Sequence, residues 1–164
     1  MWLIGMMGSG KSTVGELAAG RLGVAFHDTD RMVEKAAGMS IAELWRTQGE
    51  EAFRVLETLV IEAVPEAGIA AAGGGAVLRA ANRAVIARSD VVVWLRCEIE
   101  ELARRIRSGA DRPLLATDGD EESTLRRILA ERAPIYQSLS THRVDTTNRS
   151  LDQVVLEVIE SWPR

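Results

Sequence analysis

The feature that most constrains the fold of this chain is a glycine-rich octapeptide near its N-terminus, G-M-M-G-S-G-K-S at residues 5–12. It satisfies the pattern G-x-x-x-x-G-K-[ST], follows the apolar run 2–4 and precedes residues 12–22, whose apolar positions recur at helical spacing. Glycines allow a tight loop whose N–H groups point inward at phosphate oxygens, and a helix N-terminus adds positive potential. A plain turn between a strand and a helix is the alternative, but the full match and its flanks favour a nucleoside triphosphate site.

Three side chains of this loop suit particular parts of the nucleotide. The Lys11 ammonium can reach the β- and γ-phosphates, and the Ser12 hydroxyl can ligate Mg²⁺. Thr13 is available for a further contact to the α-phosphate. The loop therefore predicts ATP and Mg²⁺ as cofactors, but it does not identify the group that receives the phosphate.

Composition excludes several classes of protein. The chain has 164 residues and a formal net charge of −4, so it lacks the basic footprint of a general nucleic-acid binder. No apolar run approaches the roughly 20 residues that cross a bilayer, and no secretory signal is evident. Cys97 is the only cysteine, which rules out a disulfide within the chain. We expect one domain over residues 1–164 in the reducing cytoplasm, without a membrane or nucleic-acid partner.

Short apolar runs alternate with helical stretches along the whole chain, which predicts an α/β fold with a parallel sheet covered on both faces. Strands are expected at 2–4, 24–28, 69–72, 91–95 and 142–145, and helices at 12–22, 31–37, 51–64, 79–88, 99–106, 123–139 and 151–162, with a further helix opening at Ser40. Residues 108–122 are rich in glycine and aspartate and predict a mobile loop. The helix 123–139 is expected to be interrupted before Pro134.

Two acids follow the predicted second strand. Asp28 and Asp30 are two residues apart, so both carboxylates fall on one side of the strand, at the sheet edge where ligands bind. One suits the Mg²⁺ shell, and the other can orient or deprotonate an acceptor hydroxyl. The alternative is structural, because Asp30 precedes a predicted helix and would be a good N-cap. Spacing alone favours neither.

Arginines and a triple glycine complete the set of candidates. Arg54, taken alone, is typical of a solvated helix face, and Arg132 lies late in a helix, where a cation is favoured in any case. The glycines at 73–75 make a poor strand but suit close approach of backbone to a ligand; a flexible turn is the alternative. Arg112 opens the loop at 108–122 and can close over a transferring phosphate.

Seven segments, taken in order, resemble the shikimate kinase family along essentially the whole chain. They are GMMGSGKST at 5–13, DTD at 28–30, GEEAFRVLE at 49–57, GGGAV at 73–77, RPLL at 112–115, RAPIY at 132–136 and VDTTNR at 144–149. The resemblance implies a three-layer P-loop kinase fold with a five-stranded parallel sheet in the order 2-3-1-4-5. It also implies phosphorylation of the 3-hydroxyl of shikimate by ATP and Mg²⁺, in aromatic amino-acid biosynthesis.

The resemblance also implies roles for individual residues, an acceptor-binding region at about 31–62 and a mobile lid at about 108–122. Asp30 is implied to bind the shikimate hydroxyls and to act as the base, with Lys11 and the lid residue Arg112 as the other catalytic side chains. The nucleotide is assigned to Gly8, Ser9, Gly10, Lys11, Ser12, Thr13 and Arg112, with Arg107 and Arg149 at the adenine and Arg105 as a replacement for Arg107. Shikimate is assigned to Asp30, Arg54, Arg132 and the backbone of Gly73, Gly74 and Gly75, and Mg²⁺ to Ser12 and, through water, to Asp28.

Three other functions compete with this interpretation. A related small-molecule kinase of the gluconate type shares the loop, but Arg54, Arg132 and the triple glycine favour shikimate. A nucleoside monophosphate kinase would need base-reading groups that the sequence lacks. A regulatory nucleotide-binding module would have no use for a complete acceptor site. We expect a monomer.

Overall fold

The structure, a computed structural model, describes residues 1–107 and 121–163. Five parallel strands form one sheet in the order β2-β3-β1-β4-β5, which confirms the predicted order. The strands are β1 (Trp2–Ile4), β2 (Phe26–Asp28), β3 (Ile69–Ala71), β4 (Val92–Arg96) and β5 (His142–Asp145). The helices are α1 (Lys11–Leu22), α2 (Thr29–Ala37), α3 (Ile41–Glu62), α4 (Ala80–Ile86), α5 (Ile99–Arg107), α6 (Glu121–Leu139) and α7 (Leu151–Glu160), with a 3₁₀ turn at Ala76–Leu78.

Helices cover both faces of the sheet and give the three layers expected. Successive residues of a strand point to opposite faces, so Trp2 and Ile4 of β1 enter one core and Leu3 enters the other. The Leu3 side packs on α1 and α7, and the other side packs on α5 and α6. This arrangement brings the carboxyl ends of all five strands to one edge of the sheet. In the described part of the chain, no helix is both long enough and apolar enough to cross a membrane.

A third, smaller core lies between α2 and α3, away from the sheet. Its buried side chains are Val33, Leu44, Phe53 and Val60. The two helices predicted on either side of Gly49 are joined into α3, which is kinked at that residue, where φ is 85° and ψ is 170°. The pair α2–α3 falls within the predicted acceptor-binding region.

Two predictions about α6 differ from the structure. The helix begins at Glu121 instead of 123, and it continues through Pro134, so the expected interruption was wrong. Proline removes one backbone donor from a helix, but α6 has buried side chains on both sides of the proline, Leu125 and Ile128 before it and Tyr136 after it. Packing against the sheet therefore offsets the lost hydrogen bond. The rest of the predicted mobile loop, with Arg112, lies outside the described residues.

Candidate active site

The phosphate-binding loop joins β1 to α1 and ends at Gly10, the N-cap of α1, whose φ is 92°. Glycine adopts this left-handed conformation at little steric cost, so the helix starts directly after the loop, at Lys11. The Lys11 ammonium is 9% exposed and donates to the carbonyl oxygens of Gly5, at 3.0 Å, and Met6, at 2.9 Å. The positive end of α1 and the lysine thus lie together at the sheet edge, where an anion is favoured.

The two acids after β2 have different local roles. The Oδ1 atom of Asp28 accepts from the backbone N–H groups of Asp30, at 3.0 Å, and Arg31, at 3.2 Å, so Asp28 is the N-cap of α2. Asp30 lies inside the first turn of that helix. The N-cap role considered for Asp30 is therefore filled by Asp28. Helix capping does not account for the Asp30 carboxylate, so its neighbours in the site must be considered.

The turn at 73–75 has room only for glycine, because three neighbouring groups lie close to its Cβ positions. A Cβ atom at Gly73 would lie 2.6 Å from Oδ1 of Asp30, and one at Gly75 would lie 2.7 Å from Nη2 of Arg54. A Cβ atom at Gly74 would lie 3.1 Å from the backbone nitrogen of Met7 in the phosphate-binding loop. The turn therefore lies where the acid, the arginine and the loop converge, and any side chain there would displace them.

The backbone of this turn is partly used within the protein. The Gly73 N–H donates to Oγ1 of Thr29, at 3.0 Å, and the Gly73 carbonyl accepts from the N–H of Ala76. The N–H of Gly73 is therefore already used within the protein and is not free to donate to a ligand. The turn nevertheless lines the site.

Arg54 is buried and forms an ion pair with a residue that the sequence analysis missed. Its guanidinium donates to Oε2 of Glu57 at 2.9 Å; Arg54 is 8% exposed and Glu57 is 1% exposed. Burial raises the pKa of the Glu57 carboxyl, and the adjacent Arg54 partly offsets this by lowering it. The only signal in the sequence was the i,i+3 spacing of the two residues on a helix, which is common on exposed faces as well.

Two aromatic rings complete the surroundings of this arginine. The Arg54 guanidinium lies 5.0 Å from the centre of the Phe53 ring and 5.9 Å from that of Trp45, and the two rings are 5.6 Å apart. The faces of such rings attract a cation and so help to fix the orientation of the guanidinium group. The kink at Gly49 makes this cluster possible, because Trp45 precedes it and Phe53 follows it on α3.

Arg132 is a buried cation with unsatisfied donors. It is only 6% exposed, yet its Nε and Nη1 atoms have no hydrogen-bond partner among residues 1–107 and 121–163. A guanidinium buried without full pairing is costly, so a negatively charged ligand would be favoured beside it. The interpretation of Arg132 as a helix-end cation does not fit, because α6 continues for seven residues to Leu139.

These groups meet in one cleft of about 830 Å³. Among the described residues it is lined by Gly8, Gly10, Lys11, Ser12, Thr13, Asp28, Asp30, Trp45, Phe53, Arg54, Glu57, Gly73, Gly74, Gly75, Arg105 and Arg132. Ser9 of the loop is buried behind it. The phosphate cradle and the acid-plus-arginine pocket therefore face each other across a single space.

The candidate adenine arginines are placed differently from one another. Arg105 lines the cleft, and its guanidinium donates to Oγ1 of Thr146 at 3.1 Å and to the Thr146 carbonyl at 2.8 Å. The Arg107 side chain is 63% exposed and lies 3.7 Å from Glu121. Of the two, Arg105 is therefore the arginine better placed to contact a ligand in the cleft.

Arg149, the other candidate at the adenine, is held by its own neighbourhood. Its guanidinium donates to the Asp145 carbonyl, at 3.1 Å, and pairs with Glu157. It is not among the described residues that line the cleft. Its role at the adenine stays a prediction.

A parallel sheet in this order, with a glycine-rich loop and lysine after its central strand and an acidic and cationic pocket opposite, defines the protein as a P-loop kinase. The shikimate kinase family model matches residues 7–163. The chain belongs to the shikimate kinase family.

Individual relatives agree with this assignment. The chain is 44% identical over 161 residues to the shikimate kinase of Symbiobacterium thermophilum, covering 96% of this chain and 92% of the relative. It is 47% identical over 137 residues to that of Nitrobacter winogradskyi, where 82% of this chain matches 64% of a longer relative. Among solved structures, the shikimate kinase from Acinetobacter baumannii in complex with shikimate has a TM-score of 0.91 and 31% identity, with 97% of this chain and 89% of that chain covered.

Proposed function

We propose that this chain transfers the γ-phosphoryl group of ATP to the 3-hydroxyl of shikimate, giving shikimate 3-phosphate and ADP. The observation that carries the proposal is the presence of Arg132 in the same cleft as Lys11, buried and with two donors that have no hydrogen-bond partner in the described part of the chain. Family membership supports the choice of acceptor, as does the structurally similar enzyme from Acinetobacter baumannii in complex with shikimate.

Shikimate has one carboxylate and several hydroxyl groups, and the acceptor half of the cleft has groups for both. Arg54 and Arg132 bind the carboxylate, since planar guanidinium groups form paired hydrogen bonds to such an anion. Asp30 accepts hydrogen bonds from the hydroxyls, and the backbone of 73–75 forms the floor beneath the ring. Glu57 holds the Arg54 guanidinium in place from behind.

On the donor side, the loop residues 8–13 bind the phosphates of ATP, and Arg105 or Arg107, together with Arg149, contacts the adenine. Ser12 and Asp28 both line the cleft beside Lys11 and present oxygen atoms, the ligands that Mg²⁺ prefers. Bound there, with Asp28 acting through water, Mg²⁺ supplies charge neutralisation for the phosphate oxygens. Within the described residues no group of three or more His, Cys, Asp or Glu could hold a metal ion without the nucleotide.

The transfer forms a bond between the 3-hydroxyl oxygen and the γ-phosphorus and breaks the bond from that phosphorus to the bridging oxygen of ADP. Asp30 takes the hydroxyl proton. Lys11 stabilises the charge that develops on the phosphate oxygens, and Arg112 from the lid adds a second cation. Such catalysis depends on positioning and electrostatics more than on covalent chemistry. We further propose that the chain acts as one cytoplasmic domain and as a monomer.

A coupled assay of ADP release tests the proposal, with shikimate, gluconate and nucleoside monophosphates supplied separately at saturating ATP and Mg²⁺. We expect ADP with shikimate only, and shikimate 3-phosphate as the product by mass spectrometry. The Lys11→Ala variant serves as the negative control, because loss of this cation should lower turnover by at least about 100-fold. ADP release with gluconate instead would identify a different acceptor, and tight ATP binding without ADP release with any acceptor would identify a regulatory module.

A further inference from the structure

The glycine turn at 73–75 is also held from the far side, by a tyrosine on α6. The Tyr136 hydroxyl donates to the carbonyl oxygen of Gly74 at 2.6 Å, across 62 positions of sequence. The Tyr136 side chain is fully buried, and its ring packs 5.8 Å from that of Trp94 on β4. A phenylalanine at this position would keep the ring beside Trp94 and lose only the hydroxyl group. The hydrogen bond to the turn is therefore the part of this side chain that needs a further explanation.

The position of Tyr136 on α6 connects this bond to the acceptor site. Residues four apart on a helix share a face, and Arg132 lies four residues before Tyr136. Arg132 is the buried arginine whose Nε and Nη1 atoms have no hydrogen-bond partner within the residues that the structure describes. One face of α6 therefore carries both a candidate carboxylate ligand and the hydroxyl that ties the helix to Gly74.

The turn also lies against the phosphate-binding loop, in the donor half of the cleft. The position of a Cβ atom on Gly74 is 3.1 Å from the backbone nitrogen of Met7 in the phosphate-binding loop. On its other side, the Gly73 N–H donates to Thr29, next to Asp30. The turn lies between α6, the loop and the acid, so a shift of the turn would move a bound acceptor relative to all three.

We propose that Tyr136 is a positioning residue for the acceptor: its hydroxyl holds the 73–75 turn at a set distance from Arg132, so that the carboxylate and the reacting hydroxyl of the acceptor are bound in register. This inference rests on the proposed function. Burial raises the pKa of Tyr136 to about 12, so the phenol keeps its proton and remains a donor throughout the range of an assay.

Steady-state kinetics of the Tyr136→Phe variant test this inference, with shikimate and ATP varied separately. Without this hydrogen bond the turn is no longer held at its distance from Arg132, so we expect the KM for shikimate to rise by about three- to tenfold. The KM for ATP should stay within about twofold, because the loop and Lys11 are unchanged. Ser138→Ala is the matched control: it removes a hydroxyl from the same helix that donates to the Ile135 carbonyl, one helical turn away, and it should change neither KM.

Other results would overturn the inference. A KM for shikimate within twofold of wild type would do so, as would a fall in kcat alone with a lower Tm, which would show that Tyr136 only packs the core. If Tyr136→Phe does not fold, p-aminophenylalanine and p-fluorophenylalanine at this position separate a ring with a donor from one without. Only the donor should preserve the KM for shikimate, and equal values would contradict the inference. Wild-type protein inactive with shikimate would instead refute the proposed function itself.

Discussion

At the scale of single residues, the site depends on charges that the fold removes from water. Arg54 and Glu57 form an ion pair inside the protein, whereas two donors of Arg132 have no hydrogen-bond partner among the described residues. Removing one partner of a buried pair leaves the other uncompensated, which is costly. The pair therefore holds Arg54 in one orientation, and Arg132 remains available to a ligand.

The pH dependence of stability tests the environment of Glu57. Burial raises its pKa above the ordinary value, so the folded state binds the proton more tightly than the unfolded state does. The contribution of Glu57 to stability is then fully present below its ordinary pKa and is lost as the pH rises through the raised value. We expect the free energy of unfolding of wild type, minus that of Glu57→Gln, to fall across this window in urea titrations.

The exposed neighbour of the same arginine provides the control. Glu50 lies 3.4 Å from Arg54, and its side chain is 58% exposed. Replacement of Glu50 by Gln should leave the difference from wild type nearly constant over the same pH range. A flat difference for Glu57→Gln as well would show that the Glu57 carboxyl has an ordinary environment.

Asp30→Asn separates catalysis from helix capping. The cap of α2 is supplied by Asp28, so the variant should keep the wild-type Tm. Loss of a general base costs about 100- to 10,000-fold, so we expect kcat to fall by that order while ATP binding, measured by calorimetry, is unchanged. Turnover near the wild-type rate would exclude Asp30 as the base.

At the scale of elements, the kink of α3 shapes the acceptor side of the cleft. Gly49 adopts φ 85° and ψ 170°, a conformation that is essentially confined to glycine. The Trp45–Phe53 contact spans this kink, so the conformation of one residue decides where two aromatic rings meet. The sequence predicted helices on both sides of Gly49 but not the angle between them, since the angle depends on what the two halves pack against.

The Gly49→Ala substitution tests this conformation with little steric interference, because no described residue beyond its own stretch of helix lies within 4 Å of the Cβ position. The strained backbone should cost about 1–3 kcal/mol, and for a chain of this size each kcal/mol lowers Tm by about 2–4 °C in a calorimetric scan. Gly20→Ala is the matched control, since Gly20 is within α1 with equally open space. It should raise stability by about 0.5–1 kcal/mol. Equal changes in Tm for Gly49→Ala and Gly20→Ala would argue against the strained conformation at Gly49.

At the scale of the whole molecule, the proposed nucleotide and acceptor sites are two halves of one cleft, so a ligand in either half should stabilise the same fold. A ligand at 100 times its Kd adds about 2.7 kcal/mol to the free energy of unfolding, which corresponds to a rise in Tm of about 5–11 °C. We expect such a shift with ATP and Mg²⁺, and a separate one with shikimate. Lys11→Ala should lose most of the shift with ATP and keep that with shikimate; loss of both would mean that the lysine maintains the fold.

Sequence alone determined the parts of this protein whose physics is local. The phosphate-binding loop and the helix that follows it lie within residues 5–22, and their hydrogen bonds, such as those from Lys11 to the Gly5 and Met6 carbonyls, join near neighbours, so their pattern survives in the sequence. The identity of the cap at Asp28, the pairing of Glu57 with Arg54 and the continuation of α6 through Pro134 were decided by the tertiary structure. So was the bond from Tyr136 to Gly74, since it joins residues 62 positions apart. Burial and long-range packing choose among local alternatives of similar energy, and neither is written in the spacing of residues along the chain.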